Sequence, residues 1–95
     1  MADKKRIRVV IQGLVQGVNF RMETSRAADK IGVYGWVRNK ADGSVEALIE
    51  GDSPKVDQML DWCRKGPRVA RVTHVDVEED IYMGEFRDFS IRYTS

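Results

Sequence analysis

The stretch GLVQGVNFR, Gly13 to Arg21, places an arginine at the start of a run with helical periodicity. The positive end of a helix dipole is a poor place for a cation. The conflict disappears if an anion lies there, because guanidinium and dipole then act on the same ligand. Arginine suits phosphate, its fork of donors matching two oxygens. Gly13 and Gly17 in the preceding loop let the backbone turn with positive φ and approach a ligand closely. Successive N–H groups in such a turn form an anion-binding concavity. The competing reading is an ordinary solvated arginine, or one paired with a surface carboxylate. The loop is not a nucleotide-triphosphate loop, since the Gly-Lys-Ser/Thr ending is absent.

Asn39 is a second local misfit. It ends a strand-like run, where asparagine is disfavoured. It shares parity with Gly35 and Val37, so if those face the helices, Asn39 points toward the start of the first helix. Its amide offers both a donor and an acceptor and could orient a water molecule. The alternative is that it simply closes the strand before a hairpin. Two unfavourable polar choices that converge on one spot are what a functional site looks like.

Other reactive side chains suggest no chemistry. His74 is the one histidine, mid-strand and far in sequence from both misfits. Cys63 lies on an apolar helical stripe, and a Cys-x5-Arg arrangement is absent, Val69 standing where the arginine would be. No cluster has metal-ligand spacing. Asp42 belongs to a turn, and Glu46 and Glu50 alternate with apolar residues as on a solvated strand edge. Phe20, Tyr34 and Trp36 read as core and sheet packing rather than stacking platforms.

The elements that must position Arg21 and Asn39 follow from periodicity. Residues 6–13 alternate, with Ile7, Val9 and Ile11 on one face. Phe20, Thr24, Ala27, Ala28 and Ile31 form a helical stripe, with Asn19 as candidate N-cap and Gly32 as stop. Strands are expected over 33–39 and 44–50, joined by Lys40-Ala41-Asp42-Gly43 with its Asp-Gly turn signal. Ser53-Pro54 opens a second helix with Val56, Met59, Leu60 and Cys63 inward, stopped at Gly66-Pro67. A fourth strand is expected over 71–78, its phase slipping between Val72 and Val75 as at a bulge or a late start. Phe89, Ile91 and Tyr93 form a fifth. The β-α-β-β-α-β order plus a strand predicts an α+β, ferredoxin-like sandwich, two helices on one face of a mostly antiparallel sheet.

Composition narrows the classes. The chain has 95 residues, 16 basic against 15 acidic, for a net charge of +1. One domain is expected, with no basic footprint for nucleic acid. No apolar run approaches the ~20 residues of a membrane span, and the run after the charged N-terminus is too interrupted for a signal peptide. A single cysteine points to a reducing cytoplasm.

The blocks GLVQGVNFR (13–21) and GWVRNKADGSVEALIEG (35–51) resemble the two signature blocks of the acylphosphatase family. GPRVARVTHV (66–75) and FSIRY (89–93) sit where that family carries similar segments. The resemblance implies a ferredoxin-like enzyme, one domain over residues 1–95. It would hydrolyse acyl phosphates to a carboxylate and inorganic phosphate, with no metal or other cofactor. The family's phosphate-binding arginine falls on Arg21, and its water-orienting asparagine on Asn39. Its amide cradle falls on Val15, Gln16, Gly17, Val18, Asn19 and Phe20. Lys40 departs from the threonine of many animal members.

Expected partners are a small acyl phosphate, and inorganic phosphate as product and competitor. A cytoplasmic monomer is expected, without nucleic acid or membrane. The chemistry agrees with these residues. The leaving carboxylate has a conjugate acid of pKa about 4 and departs without a proton, so no general acid is needed. Two rivals are a nucleic-acid-binding module, which would show a basic aromatic segment, and a non-catalytic anion-binding domain, which would not need Asn39.

Overall fold

The computed structural model describes residues 3–93; the outermost two positions at each end of the expected 1–95 domain lie outside the described residues. The elements run β1 (Lys4–Leu14), α1 (Phe20–Ile31), β2 (Tyr34–Asn39), β3 (Val45–Asp52), α2 (Ser53–Lys65), β4 (Arg71–Asp80) and β5 (Phe89–Arg92). They form one sheet of order β4-β1-β3-β2-β5. The β1–β3, β1–β4 and β2–β3 pairs are antiparallel, and β5 lies parallel to β2. This is the expected ferredoxin-like sandwich, with β5 as the added strand.

Alternation puts Ile7, Val9 and Ile11 of β1, Val37 of β2, and Val45, Ala47 and Ile49 of β3 into the core under the helices. From α1 the core receives Phe20, Thr24 and Ala28, and from α2 Val56, Met59 and Cys63. The Phe20 and Trp62 rings meet edge to face, centroids 5.8 Å apart, which joins the helices near the beginning of α1. Gly32 ends α1 in the left-handed region, its N–H donating to the Ala28 carbonyl at 2.8 Å. The N-cap of α2 is Asp52 rather than Ser53, one residue earlier than expected, with Pro54 in the first turn. The expected bulge is present: Gln12 faces His74 and Gly13 faces Val72, leaving Thr73 as the extra residue.

The solvated edge expected for Glu46 and Glu50 is not there. β3 is the central strand, and the two side chains are buried on the face away from the helices, with residue exposures of 5% and 1%. Glu46 receives Arg38 Nη2 at 2.6 Å and Arg8 Nη1 at 3.0 Å from the flanking strands. Glu50 is covered by the connection 81–88, which must cross from the β4 edge to the β5 edge. Its Oε1 accepts the Phe86 N–H at 3.2 Å, and its Oε2 lies 3.6 Å from Arg6 Nη1. Arg6 in turn grips Glu85 at 2.6 Å and lies over the Phe86 ring. Polar alternation looks alike whether the second face meets water or guanidinium groups, and here it meets guanidinium groups.

Burial alone would raise the Glu46 pKa, but the hydrogen bonds from Arg38 and Arg8 outweigh it and hold the carboxyl below its ordinary value of 4.5. The folded state therefore favours the ionised form. Its contribution is complete above pH 4.5 and is lost as pH falls through the depressed folded value. Glu46→Gln should lower stability at pH 7 by about 2 kcal/mol. In thermal melts from pH 7 down to 3, the gap between wild type and variant should close on the acid side. A gap independent of pH would contradict this account.

Candidate active site

Five residues, Val15 to Asn19, carry the chain from β1 to α1. The turn uses positive φ at Gly17 (75°) and at Asn19 (φ 59°, ψ 27°), and Asn19 is the one non-glycine residue with positive φ among those described. A Cβ on Gly17 would touch nothing within 4 Å, so backbone conformation rather than space favours glycine there. Asn19 occupies the N-cap position, but its side chain makes no cap hydrogen bond. An N-cap residue normally holds extended φ/ψ to aim its side chain at the helix amides, and the left-handed conformation turns it elsewhere. Among the described residues, the N–H groups of Gln16, Gly17, Val18 and Asn19 donate to no backbone carbonyl. The first N–H groups of α1 follow, also without intrahelical partners. The first helical bond runs from the Glu23 N–H to the Asn19 carbonyl at 3.0 Å.

Arg21 is the second residue of α1. Its Nη1 donates to the Arg92 carbonyl at 3.1 Å, and its guanidinium lies 5.1 Å from the centroid of the Tyr93 ring. Among the described residues no carboxylate pairs with it. Among the described residues there is thus no surface ion pair to account for the arginine. Asn39, at the end of β2 opposite Val45, lines the same cleft as Arg21. The cleft holds about 260 Å³, just below the roughly 300–1,000 Å³ of drug-sized sites, as befits a small ligand.

The sequence-derived residues divide within this cleft. Gly17, Asn19, Arg21 and Asn39 supply its polar lining, and Val15 and Phe20 its buried floor. Val18 packs partly against the core, and the Gln16 side chain leaves the cleft for the β2–β3 hairpin. Met22, Ile91 and Tyr93 also line the cleft and were not foreseen. The Val37–Ile91 pairing carries the available signal, since two residues further on Asn39 and Tyr93 fall on the same side of the sheet. None of the lining side chains among the described residues is acidic. Backbone N–H donors, a helix N-terminus and a guanidinium with no carboxylate partner among the described residues give the cleft the chemistry to receive an oxyanion.

The other candidate groups lie elsewhere. Cys63 is fully buried, and burial pushes its thiol up to about 12. His74 is exposed on the β4 edge strand, its Nε2 2.8 Å from Asp76 Oδ1. Among the described residues no group of three or more His, Cys, Asp or Glu side chains could hold a metal ion.

The architecture is that of a small ferredoxin-like α+β domain, with a cleft between the β1–α1 loop and the end of β2 that suits a small anionic ligand. The acylphosphatase family model matches residues 7–91, and the chain belongs to that family. It is similar to the acylphosphatase of Syntrophus aciditrophicus, 54% identical over 94% of this chain and 93% of the relative. It is 52% identical to that of Syntrophobacter fumaroxidans, over 96% and 94%. The crystal structure of acylphosphatase from Bacillus subtilis superposes with a TM-score of 0.89 at 35% identity, covering 94% of this chain and 99% of that one. The protein is thus an enzyme that hydrolyses acyl phosphates. A binding-only or nucleic-acid-binding domain is not favoured.

The buried, protonated Cys63 should be inert. Native protein treated with a thiol reagent at pH 8 should stay unlabelled with its full hydrolytic rate, and should label stoichiometrically once unfolded. Rapid labelling of the native state with loss of activity would contradict this placement.

Proposed function

We propose that Arg21 and the backbone amides of residues 15–20 bind the phosphoryl group of a small acyl phosphate, and that Asn39 orients the attacking water. The observation that carries this reading is that Arg21 and Asn39 open onto one cleft with no carboxylate among its described lining residues. An acidic side chain there would repel a phosphorylated substrate. An arginine at a helix N-terminus, with no carboxylate partner among the described residues, attracts it.

The water oxygen attacks phosphorus in line with the acyl oxygen. The phosphorus–acyl oxygen bond breaks, and its electron pair leaves on the carboxylate. One water proton passes to a phosphoryl oxygen, giving the carboxylate and inorganic phosphate. A carboxylate leaving group needs neither a proton nor a Lewis acid, so positioning and charge stabilisation are sufficient. The proton goes to the substrate, so the protein supplies no general base. Inorganic phosphate, as product, competes for the same cradle. We further propose that residues 1–95 act as one domain, as a monomer without nucleic acid or membrane. A reducing cytoplasm suits a single buried thiol.

Arg21→Ala should lower kcat/KM on benzoyl phosphate by roughly 10³-fold and weaken phosphate inhibition to a similar degree. Asn39→Ala should lower kcat by roughly 10²-fold or more while the inhibition constant for phosphate stays nearly unchanged. A fully active Asn39→Ala enzyme would remove the water-orienting role. Exhaustive treatment with a chelator should leave the rate unaltered. Loss of rate that added metal restores would refute a metal-free reaction.

A further inference from the structure

We infer that Gln16 is a positioning residue, whose side chain sets the separation between the phosphate cradle and the water-orienting Asn39. The inference rests on the roles proposed above for the cradle and for Asn39.

The two arms of the site come from different parts of the chain. The cradle belongs to the β1–α1 loop. Asn39 belongs to the end of β2, and β3 lies between β2 and β1 in the sheet. Through the sheet alone, the loop is tied to Asn39 only across two strand pairings. The Gln16 side chain makes a direct link. Its Nε2 donates to the Lys40 carbonyl at 2.7 Å and to the Ser44 carbonyl at 2.9 Å. Both hydrogens of the amide nitrogen are used, one on each side of the hairpin neck.

The neck is itself rigid. The Ser44 carbonyl also accepts the Lys40 N–H at 2.8 Å, and the Lys40 carbonyl accepts the Gly43 N–H at 3.2 Å. Asp42 Oδ1 accepts the Ser44 N–H at 2.9 Å and the Ser44 hydroxyl at 2.6 Å. Gln16 therefore grips a braced turn through Lys40, the residue bonded to Asn39. Its own backbone sits beside Gly17 in the cradle.

In-line attack depends on the distance between the held phosphorus and the held water, and an error of about 1 Å costs up to roughly 10²-fold. Phosphate binding needs only the cradle and Arg21, which move together at the start of α1. Losing the clamp should therefore slow turnover and leave phosphate affinity nearly intact.

Gln16→Met keeps length and volume but removes both donors. Gln16→Glu keeps the shape and sets a carboxylate against two carbonyl oxygens. Both variants are to be assayed as full chains, with thermal melts confirming that each is folded at the assay temperature. On benzoyl phosphate, kcat should fall roughly 10- to 100-fold in both, with the inhibition constant for inorganic phosphate shifting by less than about threefold. The decisive arm is the double variant. If Gln16 acts through Asn39, then Gln16→Met should cost little in an Asn39→Ala background.

A kcat within about twofold of wild type in folded Gln16→Met would overturn the inference. So would equal losses in both backgrounds, or a loss of phosphate affinity matching the loss of kcat. A fast Asn39→Ala enzyme would overturn the site reading and this inference with it. A slow Asn39→Ala beside a fast Gln16→Met would overturn the inference alone.

Discussion

A five-residue reversal between β1 and α1 cannot satisfy its own amides. Val15 to Asn19 turn through positive φ at Gly17 and Asn19, and the N–H groups from Gln16 to Asn19 find no backbone acceptor among the described residues. Gly17 and Asn19 are exposed and Gln16 and Val18 half-buried, so these donors are within reach of solvent or of a bound anion. A non-glycine residue in the left-handed region adds strain of order 1 kcal/mol. The loop thus turns several N–H groups outward, which suits the oxyanion cradle proposed for it. The α1 N-terminus adds partial positive charge at the same place, and Arg21 adds a full one. On the proposed reading, the phosphoryl group of the substrate supplies acceptors for the loop N–H groups. A hydrolase that needs no general acid can work with such an arrangement, because charge and position are all that the leaving carboxylate requires.

The distant face of the sheet contributes to the same site. The segment 81–88 crosses that face and is held by Glu50 and by Arg6. It delivers the chain to β5, where the Gly35 N–H meets the Asp88 carbonyl at 2.9 Å. β5 then presents the Arg92 carbonyl and the Tyr93 ring to Arg21. On the outer face Trp36 lies beneath Arg38 and Arg92, at 5.6 and 4.9 Å from its centroid, which fastens β5 to β2. The buried carboxylates and their arginines therefore help orient the strand that holds the Arg21 guanidinium. Their own solvation loss is offset by paired charges on neighbouring strands.

The helices and most strands were legible because each buries one face, and a one-faced element writes its period into the sequence. Phe20, Thr24 and Ala28, or Val56, Met59 and Cys63, could hardly be read otherwise. The Thr73 bulge was visible as a slip in phase. β3 was not legible in full, because it is covered on both faces. Its second cover comes from Arg8, Arg38 and residues 81–88, which only the folded chain brings near. Arg21 and Asn39 stood out because each is locally unfavourable where it sits. Tyr93 and Met22 did not, since an exposed apolar side chain beside a charged cleft looks like any other surface residue. The Gln16 position could be assigned to the loop, but its partners, Lys40 and Ser44, are set by tertiary structure alone.

The central claim is that the amides of the β1–α1 loop and Arg21 together receive the phosphoryl group. It is tested most directly by titrating the isotopically labelled protein with inorganic phosphate and following every backbone and arginine N–H resonance. The account predicts saturable shifts concentrated on Gln16 to Arg21 and on the Arg21 Nε–H, with the Cys63 and Val56 amides unmoved. Shifts centred instead on the Arg8, Arg38 and Arg92 face, or no saturable shift in the loop, would contradict it.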